Sequence, residues 1–171
     1  VNDHPRNLSD EQLKALAVNG GVMGAVFCTP FLDAECAAAL VRLRDSEAHN
    51  SIDEGHEAST FFARARFLQE SAPPLPITRV CDHICHAIEV AGIDHVGIGS
   101  DYDGIDHTPA GLEDASRYQL LAAALLERGL TEAEVEAVFW GNMARVYASA
   151  TGEGTRAHTL TAPLSSQTSA Q

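Results

Sequence analysis

The chain has 171 residues, of which 45% are hydrophobic, so a folded domain with a real core is expected. Its formal net charge of −13 repels phosphate backbones and anionic lipids, which argues against binding to nucleic acid or to a membrane surface. No run of about 18 apolar residues occurs, so no transmembrane helix is predicted. The four cysteines are interpreted as reduced thiols, which favours a cytoplasmic location.

Helix and strand signals alternate along the chain. A capping box at Ser9–Gln12 predicts a helix over 10–18, and the apolar run 22–27 predicts a short buried strand. The further predictions, in chain order, are a helix at 33–44, a polar surface loop or insertion at 45–60, a helix at 61–70, a helix at 78–91, a strand at 95–99, and helices at 114–128, 132–139 and 142–150. Asn142 is predicted to cap the last helix. Residues 1–150 are predicted to form the folded part, and 151–171 a disordered tail.

The alternation predicts parallel βαβ units in an α/β fold. Both strands are apolar runs of the kind buried on two faces, and two such strands cannot form a closed sheet. The chain also begins without methionine. We therefore expect that it is part of a larger barrel or pairs with another element.

The stretch GIGSDYDGID, residues 97–106, places three carboxylates after the second strand. An EF-hand calcium loop needs acids at positions 1, 3 and 5, glycine at 6 and glutamate at 12, and from Asp101 this spacing fails. A phosphate cradle lacks its GK[ST] motif, and the acids would repel phosphate. Asp101 itself occupies the carboxyl end of a strand, the position that faces the active-site mouth in α/β barrels. It is open to interpretation as a general base, a metal ligand or a turn acid, while Asp103 and Asp106 are expected to shape the loop.

Two other segments carry chemistry-bearing residues. In CDHICH, residues 81–86, Cys81 and Cys85 share one helix face while His83 turns away, which favours packing over a zinc site. Cys28, at the end of the first strand, has no marked partner base. Arg6 is a lone loop arginine whose guanidinium would suit a substrate carboxylate.

Several segments together resemble one known family. They are DHPRNLSDEQLKAL, GGVMGAVF, DHICHAIEVAGIDHVGIGSDYDGI, GLEDASRY and GNMARV. They are similar to the C-terminal half of the renal or membrane dipeptidase family, whose members are zinc-dependent dipeptidases with a TIM-type (β/α)8 barrel. The resemblance covers about residues 2–148 and leaves out a variable insertion at 45–75.

The resemblance implies a fold, an activity and two site residues. The two predicted strands would be the last two of eight barrel strands, and the substrate would be a dipeptide with a free C-terminal carboxylate, often with a D-residue at that end. Asp101 would be the catalytic acid/base that moves a proton from the attacking water to the leaving amine, and Arg6 would hold the substrate carboxylate. The two zinc ions of the family would be bound upstream, because none of the family's ligand motifs has a counterpart here. The chain alone is therefore expected to be inactive.

Two alternatives of other classes remain at this point. One is a non-catalytic truncated remnant, and the other is a small acidic metal-binding module built on Asp101, Asp103 and Asp106. A homo-oligomer of the full-length protein is also left open.

Overall fold

The computed structural model describes residues 1–152, which form helices around a small parallel sheet. The strands are β1 (Met23–Val26) and β2 (Val96–Ser100). The helices are α1 (Asp10–Val18), α2 (Thr29–Leu32), α3 (Ala34–Arg44), α4 (Glu47–Asn50), α5 (Glu57–Ser71), α6 (Thr78–Ala91), α7 (Tyr118–Glu127), α8 (Glu132–Glu136) and α9 (Asn142–Thr151). The predicted α/β class is confirmed, and within the described residues no helix is long and apolar enough to cross a membrane.

The capping signals read from the sequence act as expected. Ser9 accepts a hydrogen bond from the Gln12 backbone at the start of α1, and Thr131 does the same for Glu134 at the start of α8. Asp33 caps α3 rather than belonging to it, because its carboxylate accepts from two backbone amides of the first turn.

Helix α6 joins the sheet to the surrounding helices. Its buried residues Val80, Ile84 and Ala87 recur at helical spacing and enter the main core cluster. Phe27 after β1 and Val96 in β2 are fully buried in the same cluster. The core therefore fixes the position of β1 relative to β2.

The polar segment 45–60 corrects one prediction, because it contains helical turns instead of being a loop throughout. Ser46 caps α4, and the His56 side chain accepts from the Ala58 amide at the start of α5, which therefore begins four residues before the predicted 61. The sequence does not reveal α4 or the first turn of α5 because these residues lie on the surface: α4 has no buried residue, and Leu68 is the one buried residue of α5. Helix periodicity is weak where one face has so little to bury.

The predicted capping role of Asn142 is wrong. The backbone runs from α8 through a π-helical stretch, Ala137–Gly141, directly into α9, so no helix begins at a cap there. The Asn142 side chain is buried and donates to the carbonyls of Ile93 (2.7 Å) and Val96 (2.8 Å). It therefore links this helix to the start of β2. The tail predicted for 151–171 lies, beyond Gly152, outside the described residues.

Candidate active site

The two strands run parallel, so their carboxyl ends meet at one edge of the sheet. Phe27, the residue after β1, donates its amide to the carbonyl of Ser100 at 2.9 Å and extends the pairing to the last residue of β2. Asp101 follows immediately. The structure thus places Asp101 at the strand end that the sequence predicted.

A shift in the pairing register changes the direction of the chain at this end of β2. Ala25 pairs with Ile98 and Val26 pairs with Ser100, so Gly99 is the extra residue of a bulge. A Cβ at Gly99 would lie 3.1 Å from the backbone carbon of Gly24, which is closer than ordinary van der Waals contact. Glycine at these two positions allows the strands to approach and turns the following residues out of the sheet.

Asp101 is exposed and adopts a left-handed conformation with φ of 70°. Ser100 (φ 28°) and Asp103 (φ 66°) are also in the left-handed range, which is unfavourable for residues other than glycine. A Cβ at Gly104 would lie 2.5 Å from Oδ1 of Asp101, so a larger residue there would displace this carboxylate from its present position. Within the described residues, the Asp101 carboxylate makes no hydrogen bond or ion pair, and it is free to bind a ligand or exchange a proton.

Arg6 lies on the segment before α1, and this segment is attached to the chain that follows β1. The side chains of Asn2 and Asn7 donate to the carbonyl of Phe31 at 3.0 and 2.8 Å. The Arg6 guanidinium lies over the Phe31 ring, with Cζ 5.3 Å from its centroid, in cation–π geometry. Arg6 is exposed, forms no ion pair within residues 1–152, and lines a cavity of about 580 Å³ that β1 also borders.

The segment 27–31 connects the two predicted site residues. At one end, the Phe27 ring packs edge-on against Tyr102, the neighbour of Asp101, with centroids 5.6 Å apart. At its other end, Phe31 supports Arg6. The segment 27–31 thus contacts the neighbour of Asp101 at one end and Arg6 at the other, and within the described residues Asp101 and Arg6 do not pair with each other.

Cys28 lies beside these groups without the properties of a nucleophile. Burial raises the pKa of its thiol, and the negative charges of Asp106 and Asp101 raise it further. The thiol therefore stays protonated and unreactive at neutral pH.

The side chains of CDHICH are engaged elsewhere. Burial raises the pKa of Cys81 to about 11, and it lowers the pKa of His83, whose ring is hydrogen-bonded to the Leu32 carbonyl at 3.1 Å. His86 contacts the Asp10 carboxylate at 2.8 Å. These contacts attach α6 to its neighbours, as expected for packing residues.

The structure also shows two site contacts that the sequence does not indicate. Both carboxylate oxygens of Asp106 accept hydrogen bonds from the Arg44 guanidinium, and the shortest, from Nη2 to Oδ1, is 2.7 Å. The buried His107 ring is hydrogen-bonded through Nδ1 to the Thr29 hydroxyl at 2.7 Å. No motif connects residues so far apart in the chain, so only the fold reveals these pairs.

With this geometry established, comparison with known proteins gives a consistent result. A family model described as membrane dipeptidase, peptidase family M19, matches residues 1–159. The chain belongs to this family. The resemblance deduced from the sequence is thereby confirmed.

Two of the proteins that this chain resembles in sequence are named dipeptidases. Dipeptidase ataJ of Aspergillus terreus is 35% identical over 142 residues, which cover 83% of this chain and 26% of that protein. Dipeptidase verJ of Clonostachys rogersoniana is 32% identical over 146 residues, with 85% of this chain and 28% of that protein covered. The chain thus spans about a quarter of the length of these relatives.

Solved structures give the same similarity at the level of the fold. The probable dipeptidase PvdM of Pseudomonas aeruginosa has a TM-score of 0.61 at 27% identity, over 85% of this chain and 41% of that one. A metallopeptidase of Rhodobacter sphaeroides, liganded with a phosphinate mimic of the dipeptide L-Ala-D-Ala, has a TM-score of 0.59 at 25% identity. The match covers 82% of this chain and 30% of that one.

The metal implied by a metallopeptidase family does not fit the residues that the structure describes. Within 1–152 no group of three or more His, Cys, Asp or Glu side chains is arranged to hold a metal ion. Asp101, Asp103 and Asp106 do not gather into such a group, because Asp106 is directed to Arg44. The structure therefore gives no support to the alternative of a small acidic metal-binding module.

Proposed function

We propose that this chain is the C-terminal portion of a metal-dependent dipeptidase and supplies the substrate-carboxylate and proton-transfer residues of its active site. The observation that carries the proposal is Asp101, which lies at the end of β2 in a strained conformation with an exposed, uncommitted carboxylate in the described structure. Surrounding structure must hold a residue in such a conformation, and strained residues cluster at functional sites. The membership of the family supports the assignment.

The fold proposal is that β1 and β2 are the last two strands of a (β/α)8 barrel. Parallel strands linked through helices, with polar residues at their carboxyl ends, are the pattern of such barrels. The solved relatives with TM-scores of 0.61 and 0.59 extend well beyond the matched region, which leaves room for the other strands.

In the proposed reaction, Arg6 binds the C-terminal carboxylate of a dipeptide. Its guanidinium offers paired N–H donors that match a carboxylate, and the Phe31 ring beneath it limits its orientations. Asp101 accepts the proton of the attacking water and returns it to the nitrogen of the leaving amino acid. The same carboxylate thus acts first as general base and then as general acid.

We propose zinc as the metal, held by residues outside the described structure. When bound, such an ion would supply a nucleophilic water at neutral pH and would polarise the peptide carbonyl. Because the described residues 1–152 contain no group of metal ligands, this part of the chain alone is expected to be inactive. The substrate class includes dipeptides with a C-terminal D-residue, since the Rhodobacter sphaeroides neighbour is liganded with a mimic of L-Ala-D-Ala.

The test is hydrolysis of L-Ala-D-Ala and L-Ala-L-Ala by the full-length protein, loaded with zinc and then treated with a chelator. We expect hydrolysis that is lost with the metal and restored by zinc, and slower hydrolysis of the corresponding dipeptide amide. Full activity without metal, or absence of dipeptide hydrolysis in the zinc-loaded protein, would contradict the proposal.

A further inference from the structure

The loop that carries Asp101 is attached to the helical segment 45–75, to which the sequence assigned no role. Just before this segment, Arg44 at the end of α3 donates from Nη2 to Oδ1 of Asp106 at 2.7 Å and from Nε to Oδ2 at 3.1 Å. This is the fork geometry in which an arginine fixes both the position and the orientation of a carboxylate.

Two further contacts follow along the same loop. The Gln69 side chain accepts from the Thr108 amide at 2.8 Å and donates to the Thr108 carbonyl at 3.2 Å. At the end of the segment, the Leu75 carbonyl accepts from the Ala110 amide at 2.8 Å, beside a parallel bridge of Pro76 with Ala110. These contacts join the end of the segment to residues 108–110 of the loop.

The contacts fall on alternate residues, as in an extended strand. His107 and Pro109 are buried, and His107 reaches Thr29 behind β1. Asp106 and Thr108 are half-buried; Asp106 contacts Arg44 of α3, and Thr108 contacts Gln69 of the helical segment. The stretch 106–110 is therefore held on both of its sides.

This attachment has a mechanical consequence for Asp101. The left-handed conformations of Asp101 and Asp103 each cost on the order of 1 kcal/mol or more, so the free loop would relax to other conformations. β2 fixes the loop at Ser100, through the hydrogen bond from Phe27, and the Arg44 contact to Asp106 fixes it five residues after Asp101. Both ends must be held if the conformation between them is to persist.

We propose that Arg44 is a positioning residue, which holds Asp101 in its catalytic conformation by fixing Asp106. The segment 45–75 holds the same loop through the contacts of Gln69 and Leu75. The inference rests on the proposed function of Asp101. The Arg44 and Asp106 side chains are 35% and 30% exposed, so the pair adds little to global stability. Its effect is on the geometry of the loop.

The kinetic test uses Arg44→Gln in the full-length, zinc-loaded protein with L-Ala-D-Ala as substrate. We expect kcat to fall about tenfold, because small misplacements of a catalytic group are costly, while KM changes less than about twofold. Asp106→Asn should have the same effect, and the double variant should be no worse than either single one. Arg44→Lys should recover part of the loss. Arg42→Gln, an exposed arginine of the same helix, is the matched control and should leave kcat unchanged.

A second readout is independent of activity. Hydrogen exchange of the amides in 101–108 should be faster in Arg44→Gln, with exchange in α6 and β2 unchanged, because only the loop is released. Unchanged exchange in the loop would overturn the inference whether or not the wild-type protein is active. An active wild type with unchanged kcat in Arg44→Gln would overturn it as well. A zinc-loaded wild type without dipeptide hydrolysis would instead contradict the proposed function, and with it the catalytic part of the inference.

Discussion

The loop that carries Asp101 and the segment that carries Arg6 are positioned by different means. Asp101 is directed by backbone: a bulged strand, consecutive left-handed residues and a glycine that leaves room for its side chain. Arg6 is directed by side chains, since Asn2 and Asn7 attach its segment to Phe31 and the ring of Phe31 supports the guanidinium. A backbone-directed group suits proton transfer, which needs close geometry, and an exposed arginine on an aromatic platform suits substrate binding. Changes near Asp101 should therefore reduce kcat, and changes near Arg6 should raise KM.

The largest effect is expected for Asp101→Asn, which removes the proton-accepting oxygen while keeping shape and tolerance of a left-handed φ. In the zinc-loaded, full-length protein, kcat should fall about 10²- to 10⁴-fold with unchanged metal content, as measured by steady-state kinetics and metal analysis. Asp103→Asn is the matched control, because Asp103 shares the charge, the exposure and the left-handed conformation. Equal losses in both variants would remove the special role of Asp101.

The next effect is expected for Gly104→Ala, whose new Cβ would lie 2.5 Å from Oδ1 of Asp101 and displace that carboxylate. We expect kcat to fall about 10²-fold, with KM nearly unchanged, in the same assay. Gly141→Ala is the control, because its Cβ would meet nothing closer than 3.9 Å. Equal kcat values in the two alanine variants would mean that the position of the Asp101 carboxylate does not matter.

Arg6→Ala should lower kcat/KM for dipeptides about 10- to 100-fold through KM, because a charge-assisted hydrogen bond to the substrate carboxylate is worth about 1.5–3 kcal/mol. Dipeptide amides, which lack this carboxylate, should lose much less. Kinetics on the acid and amide pair measure the difference. A loss of the same size on both substrates would rule out Arg6 as the carboxylate anchor.

Phe31→Leu should weaken the platform under Arg6 while keeping the backbone carbonyl that Asn2 and Asn7 use. A cation–π contact at an exposed site is worth about 0.5–1 kcal/mol, so KM for L-Ala-D-Ala should rise about 2- to 5-fold with kcat unchanged. Phe62→Leu, at an exposed phenylalanine on α5, should leave KM as in the wild type. If kcat falls in place of the rise in KM, the two regions are not separable in the way we describe.

The smallest effect concerns pH. Burial lowers the pKa of His107, although the Asp106 charge opposes this, so the unfolded chain binds a proton that the folded chain does not. Stability from this group is present above about pH 6.5 and is lost as the pH falls, and the thermal midpoint should decrease between about pH 7.5 and pH 5. His107→Gln should show a smaller decrease than the wild type, because glutamine does not titrate in this range. A thermal midpoint of His107→Gln with the same pH dependence as the wild type would contradict this assignment.

Local signals in the sequence were sufficient for much of the fold. The capping boxes at Ser9 and Thr131 and the apolar spacing of α6 act through neighbouring residues, and such effects can be read directly. Asn142 shows the limit of local reasoning. In a sequence, an asparagine whose buried side chain donates to two distant carbonyls cannot be told from an asparagine that caps a helix.

The candidate site divides in the same way. The location of Asp101 follows from strand-end geometry, which the sequence reveals, but its left-handed conformation does not. The Arg44 pair with Asp106 joins residues 62 apart in the chain, and no pattern of one sequence encodes such a contact. Helix α4 and the first turn of α5 were missed for a related reason, since they bury too little to show periodicity.

The central claim is that this chain supplies the carboxylate anchor and the proton-transfer group of a dipeptidase site. It can be tested by finding where a substrate mimic binds. The measurement is a crystal structure of the full-length, zinc-loaded protein with a phosphinate mimic of L-Ala-D-Ala. We predict that the Arg6 guanidinium lies within about 3 Å of the C-terminal carboxylate of the mimic, and that the Asp101 carboxylate lies at hydrogen-bond distance from its phosphinate group. A mimic bound with both side chains out of contact would contradict the account.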